Sequence, residues 1–127
     1  LFLSLLNDKR LNFKKVEIGY DIGLRVISTE GINKGNPLSL DQLSSGEKHQ
    51  ILLLFNLIFK ISPGTIVMID EPELSLHITW QRKFLKDLLR ISELNDFKAI
   101  VATHSAIILD GRWDLTYSLF KKEMVAS

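Results

Sequence analysis

The chain has 127 residues, 46% hydrophobic and 24% charged, which is an ordinary composition for one globular domain with a real core. Sixteen Lys and Arg nearly balance fifteen Asp and Glu, and the net charge of +1 excludes an overall electrostatic footprint for nucleic acid. No cysteine is present, which excludes a disulfide framework and a thiolate metal site and fits a cytoplasmic protein.

Residues 1–11 read as the last turns of a helix, and "LFLSLLNDKR" has no basic region ahead of its apolar residues, so it does not read as a signal peptide. With no initiator Met, Leu1 is expected to be a start inside a larger protein or its first ordered residue. The basic stretch "NDKRLNFKK" (7–15) reads as a solvated surface. "FKKVEIG" (13–19) and "GLRVIS" (23–28) alternate with period two around the turn residues of "GYDIG", which predicts a hairpin. "TEGINKGNPLS" (29–39) reads as a loop.

From Ser44 the period becomes helical. Ile51, Leu54, Phe55 and Ile58 recur at three and four, and Leu52, Leu53, Leu57 and Phe59 widen the face, so this helix should be buried on most sides. Its apolar run is interrupted by Asn56 and is too short to span a bilayer. "SPG" (62–64) ends it, and "TIVMI" (65–69) reads as a strand buried on both faces of a parallel sheet. Residues 75–94 form an amphipathic helix with a stripe of Trp80, Phe84, Leu85, Leu88, Leu89 and Ile91, broken by Asn95-Asp96. "AIVA" (99–102) is a second buried strand, "SAIILD" a short helix or turn, and "LTYSLF" (115–120) a final strand. Strand, helix, strand in the second half indicates an α/β layer.

Three segments carry chemistry. In "TIVMIDEPELSLH" an apolar strand ends in Asp70 and Glu71, where open α/β sheets gather ligands. Adjacent carboxylates on an extended strand point to opposite faces, and Pro72 biases Glu71 to extended or polyproline geometry. Asp70 is a candidate Mg²⁺ ligand through water, and Glu71 a candidate to position or deprotonate a water attacking a phosphate. The alternative is an acidic surface turn. In "IVATHS" a buried strand ends in His104, either a turn histidine or a donor to a phosphate. In "LSSGEKHQ" Ser44 and Glu47 fit a capping box, while Ser44, Ser45 and Gly46 also fit an anion site at a helix start. A zinc or manganese site built on His77, His104, Asp70 and Glu71 lacks any recognised ligand spacing.

Taken in order, these segments resemble the second half of an ATP-binding-cassette (ABC) ATPase. "LSSGE" (43–47) is similar to the signature motif, "IVMIDEP" (66–72) to Walker B with its catalytic glutamate, "ELSLH" (73–77) to the D-loop, and "ATHS" (102–105) to the switch histidine. Ser45-Gly46 stands for the usual Gly-Gly, and Glu47 for the usual Gln. "DEPELSLH" resembles the non-transporter members: the overcoming-lysogenization-defect type, AAA-type proteins of anti-phage systems and, more distantly, the SMC-like chromosome-maintenance and recombination ATPases.

The resemblance implies a P-loop NTPase-like C-terminal lobe, with a mainly parallel sheet flanked by helices and an N-terminal β-hairpin, spanning 1–127 as one domain. No GxxxxGK[ST] is present, so the Walker A lobe would lie upstream or on another chain. It further implies ATP and Mg²⁺ as cofactors and a head-to-tail dimer with a second protomer. Ser44, Ser45, Gly46 and Glu47 would meet ATP in trans, Asp70 would hold Mg²⁺, Glu71 and His104 would be catalytic, and Ser75, Leu76 and His77 would form the D-loop. DNA or a nuclease is an implied partner and a membrane is not. This chain alone is expected to be inactive, and its exposed edge prone to self-association. A transporter ATPase subunit and a non-catalytic nucleotide-binding scaffold are the alternative readings.

Overall fold

A computed structural model describes residues 1–7, 11 and 13–118. Helix α1 (Phe2–Asn7) buries Phe2, Leu5 and Leu6. It leads to strands β1 (Lys14–Gly19), β2 (Gly23–Ser28) and the two-residue β3 (Pro37–Leu38), an antiparallel sheet in the order β1-β2-β3. The hairpin has the expected register, from Lys14 opposite Ser28 to Gly19 opposite Gly23. Asn7 acts as a strand partner for β1. Its amide donates to the Val16 carbonyl at 2.9 Å, and its carbonyl accepts from the Val16 amide at 2.8 Å. Helix and hairpin are thereby joined by polar groups that would otherwise be costly to bury.

Helix α2 (Ser45–Phe59) follows a 3₁₀ turn at Leu40–Gln42. It is buried along one stripe rather than on most sides. Leu54 and Leu57 are enclosed, whereas Leu52, Phe55 and Phe59 are exposed. Phe55 and Phe59 pack against Phe2, with ring centroids 6.2 and 5.4 Å away.

Strand β4 (Ile66–Asp70), helix α3 (Ile78–Asn95) and strand β5 (Lys98–Ala102) form the expected strand–helix–strand unit, with β4 and β5 parallel and paired from Ile66–Lys98 to Asp70–Ala102. Trp80, Phe84, Leu88 and Ile91 make the buried stripe of α3, with Leu85 and Leu89 at its half-buried margin. Asn95, in the last turn of α3, donates to the Leu57 and Ile58 carbonyls at 3.0 and 2.9 Å. These are terminal carbonyls of α2 that lack a partner within their own helix. Asp96 closes α3 in the left-handed conformation at φ 51°. Helix α4 (Ala106–Leu109) and a 3₁₀ turn at Trp113–Leu115 follow.

The fold is therefore mixed α/β, and three further expectations need correction. Among the described residues the sheet is not mainly parallel: three of the five strands belong to the antiparallel sheet and the parallel part is a single pair. The apolar strands β4 and β5 are not buried on both faces. Val67, Ile69, Ala99 and Val101 pack on the core, while Ile66, Met68 and Ile100 are 61%, 81% and 58% exposed. The core lies on one side of this strand pair, and among the described residues nothing covers the other. Finally, residues 115–118 hold no strand, and Leu119 and Phe120 lie outside the described residues. No helix among the described residues is long and apolar enough to cross a membrane.

Candidate functional site

The parallel pairing brings the carboxyl ends of β4 and β5 side by side. Asp70 is the last residue of β4 and alternates with Ile66 and Met68, so it lies on the uncovered face and is exposed. Glu71 extends the ladder by one bond, its amide donating to the Ala102 carbonyl at 2.8 Å. Its own carbonyl accepts from the Leu74 amide at 3.1 Å and opens a 3₁₀ turn over Pro72–Ser75.

With both backbone groups committed, Glu71 takes φ 41° and ψ 55°, in the left-handed region rather than the extended geometry expected from Pro72. Proline disfavours the right-handed helical region for the residue before it. The left-handed conformation reverses the chain while keeping the ladder bond. For a residue with a side chain this costs on the order of 1–3 kcal/mol, and such outliers cluster at functional sites.

The turn aims the Glu71 carboxylate at the end of the neighbouring strand, where its Oε1 lies 3.3 Å from His104 Nε2. The imidazole is 88% exposed and the Glu71 side chain 37%. Two groups singled out in the sequence 33 residues apart thus share one open crevice. The hollow between α2 and β4 reaches the same place; it encloses about 320 Å³ and is lined in part by His49, Asn56, Asp70, Glu71 and Ser75.

Behind this pair runs a network not foreseen in the sequence. Glu73 Oε1 accepts from the Thr103 hydroxyl at 2.8 Å and from the His104 amide at 2.9 Å. Thr103 Oγ1 accepts from the Ser105 amide at 3.0 Å, and Ser105 Oγ meets Gln81 Oε1 at 3.1 Å. Gln81 Nε2 donates to the carbonyls of Glu73 and Leu76 at 3.3 and 3.1 Å. Burial acts to raise the Glu73 carboxyl, but its own amide, the Thr103 hydroxyl and the His104 and Ser105 amides outweigh burial and hold it below its ordinary range. The available signal was a third acid two residues beyond Glu71, together with hydroxyls flanking His104.

The signature-like stretch forms the full capping box. The Ser44 hydroxyl accepts from the Glu47 amide at 3.2 Å, and Glu47 Oε2 accepts from the Ser44 amide at 2.8 Å. Ser44 and Ser45 are exposed, while Glu47 is buried. Lys14 Nζ reaches both Glu47 oxygens, at 2.8 and 2.9 Å, and ties β1 to the start of α2. Lys14 is thus not part of a purely solvated surface; residues 8–10 and 12 of that basic stretch lie outside the described residues. Burial acts to raise the Glu47 carboxyl, and the Lys14 ammonium and Ser44 amide lower it further than burial raises it.

Gly46 has a packing role, since a Cβ there would stand 2.8 Å from the Ser75 carbonyl oxygen. The signature-like helix and the D-loop-like turn are therefore in backbone contact. Leu76 is buried, and His77 caps α3, its Nδ1 lying 3.4 Å from the Thr79 amide that donates to it and 3.0 Å from the Thr79 hydroxyl. Among the described residues, no group of three or more His, Cys, Asp or Glu side chains is placed to hold a metal.

Residues 3–110 match the profile of the family described as "AAA domain, putative AbiEii toxin, Type IV TA system". The chain belongs to this AAA domain family. A 68-residue stretch is also 31% identical to protein ea59 of Escherichia phage lambda, covering 54% of this chain and 13% of ea59. The AAA match takes in the hairpin, the signature-like helix, both strand ends and the Glu73 network.

Two outcomes follow from this geometry. Gly46→Ala, which in an unencumbered helix would stabilise by about 1 kcal/mol, should here destabilise by about 1–3 kcal/mol because the methyl displaces the Ser75 carbonyl; a shift of the urea midpoint gives the sign. The Glu47 carboxyl sits below its ordinary value of 4.5 in the fold, so it contributes stability above that pH and loses it as pH falls through the lower folded value. Urea midpoints measured between neutral and acid pH should accordingly fall less steeply for Glu47→Gln than for the wild type.

Proposed function

We propose that the intact protein is a non-transporter ABC-type ATPase and that this chain is the C-terminal lobe of its P-loop NTPase-like domain. The observation that carries the reading is the meeting of Glu71 and His104 at 3.3 Å beside Asp70, at the carboxyl ends of adjacent parallel strands. Membership of the AAA domain family supports a nucleotide-binding role for that crevice.

Asp70 suits the magnesium of a Mg·ATP substrate. It is an exposed hard oxygen donor, and Mg²⁺ is typically held by one or two carboxylates together with substrate phosphates rather than by an all-protein cage. Bound there, the ion would neutralise charge developing on the phosphates.

Glu71 accepts a proton from the water that attacks the γ-phosphorus as the bond to the ADP oxygen breaks, giving ADP and phosphate. His104 donates a hydrogen bond to a γ-phosphate oxygen from the other side of the crevice. The phosphate-cradling loop and lysine come from a Walker A lobe outside this chain.

ATP then joins two protomers head to tail, with the start of α2 of one facing the nucleotide of the other. Ser44 and Ser45 offer exposed hydroxyls, and the first turn offers amides and the positive end of the helix dipole. Glu47 meets no phosphate in this scheme, because Lys14 and Ser44 already occupy its oxygens. Ser75, Leu76 and His77 lie behind that turn as the D-loop. The family description names a putative toxin of a type IV TA system; the part assigned to the intact protein in this scheme is anti-phage defence or DNA repair, with DNA or a nuclease as the acting partner.

The test is Glu71→Gln in the intact protein. ATP turnover should fall by at least about 100-fold, the scale of a lost general base, while ATP stays bound and sedimentation shows an ATP-dependent dimer. Turnover at the wild-type rate would remove Glu71 from the chemistry.

A further inference from the structure

We propose that Glu73 is a positioning residue for this site: its carboxylate holds the backbone at His104 and thereby keeps the imidazole against Glu71. The inference rests on the proposed function and adds to it a group that touches neither water nor phosphate.

The His104 side chain is 88% exposed, and its polar contact among the described residues is the Glu71 carboxylate. An imidazole so little packed takes its position from the backbone that carries it. That backbone is anchored at each of three successive residues. Thr103 donates its hydroxyl to Glu73, His104 its amide to Glu73, and Ser105 its hydroxyl to Gln81 of α3. Gln81 in turn donates to the Glu73 carbonyl, so strand end, turn and helix form a closed circuit.

Two features set this apart from ordinary loop bonding. Hydrogen bonds to an ionised carboxylate are roughly twice as strong as neutral ones, and Glu73 receives two on a single oxygen. Its other oxygen is buried and has no hydrogen-bond partner among the described residues. A half-satisfied buried carboxylate costs stability that an apolar side chain would not, so it calls for an explanation. The position in sequence supplies one. Glu73 and Glu71 belong to the same short turn, one at its cap and one at its second residue. That turn therefore presents both the carboxylate that meets the imidazole and the carboxylate that sets the imidazole's backbone. A shift of the turn, including one pressed on it through Gly46 and Ser75, moves both together.

The experiment compares wild type, Glu73→Ala, Glu73→Gln and Thr103→Val in the intact protein. Steady-state ATP hydrolysis is read alongside deuterium exchange of the peptide containing His104. For Glu73→Ala, kcat should fall on the order of 10- to 100-fold with KM within about threefold, the pattern of a misplaced group rather than lost binding. Exchange at His104 should quicken at least about tenfold while the core of α3 stays protected, which separates local release from global unfolding.

Glu73→Gln keeps the shape and an acceptor oxygen but loses the charge, so it should recover only part of kcat, whereas a purely steric role would restore it fully. Thr103→Val removes one of the two bonds and should lower kcat less than Glu73→Ala; it carries the test if the alanine variant fails to fold. An active wild type whose Glu73→Ala or Thr103→Val variant turns over at an unchanged rate overturns the positioning role and leaves the ATPase standing. A wild type that does not hydrolyse ATP overturns the proposed function, and this inference with it.

Discussion

The parallel pairing of β4 with β5 is the constraint from which the site follows. Five residue pairs fix the register, ending with Asp70 opposite Ala102. Side chains alternate along a strand, so a slip of one residue would turn Val67 and Ile69 outward and bring Ile66 and Met68 onto the core. It would also exchange the faces of the strand-end acids and part Glu71 from His104. The register is held by the inward residues of both strands packing on the core that includes the α3 stripe, and at the far end by the Glu71 amide continuing the ladder into the turn. Core packing and site geometry are thus one specification: the burial that stabilises the pair also aims its ends.

Four acidic residues around the crevice divide by the donors that surround them. Glu47 and Glu73 are held by donors: an ammonium and an amide for one, a hydroxyl and an amide on a single oxygen for the other. Both are held ionised below their ordinary range against burial, and both connect elements distant in sequence. Asp70 and Glu71 stand more open, with oxygens left to meet a ligand or a water. Such a division places the structural carboxylates behind and the ones proposed to react in front. It also explains why the cap and the binding site at Ser44 are not rivals. The box formed by Ser44 and Glu47 shapes the first turn of α2, and that shaped turn is what an anion would meet.

Local patterns carried most of this into the sequence. Period-two alternation placed the β1–β2 hairpin, the Ser44-x-x-Glu47 spacing placed the start of α2, and the apolar runs before Asp70 and Thr103 placed the two strand ends. The less legible features depend on contacts between segments. The exposure of Ile66, Met68 and Ile100 cannot be told from burial by composition, because a buried apolar strand reads the same whichever layer covers it. The left-handed Glu71 arises from a ladder bond and a turn bond acting on one residue, which the Pro72 preference alone does not foresee. Glu73, Gln81 and Lys14 became functional candidates only once the fold placed them beside residues 24–33 positions away. Gly46, read as part of an anion site at the helix start, proves also to permit close approach of the Ser75 backbone.

The central claim is that the paired strand ends form a hydrolytic centre for Mg·ATP, with His104 acting on the phosphate. The most direct measurement is magnesium-dependent ATP turnover by the intact protein, wild type beside His104→Ala. The account predicts turnover by the wild type that is lost without Mg²⁺, and a fall of about 100-fold in kcat for His104→Ala with ATP still bound. Equal turnover by the two proteins, or none by a wild type that binds ATP, would contradict it.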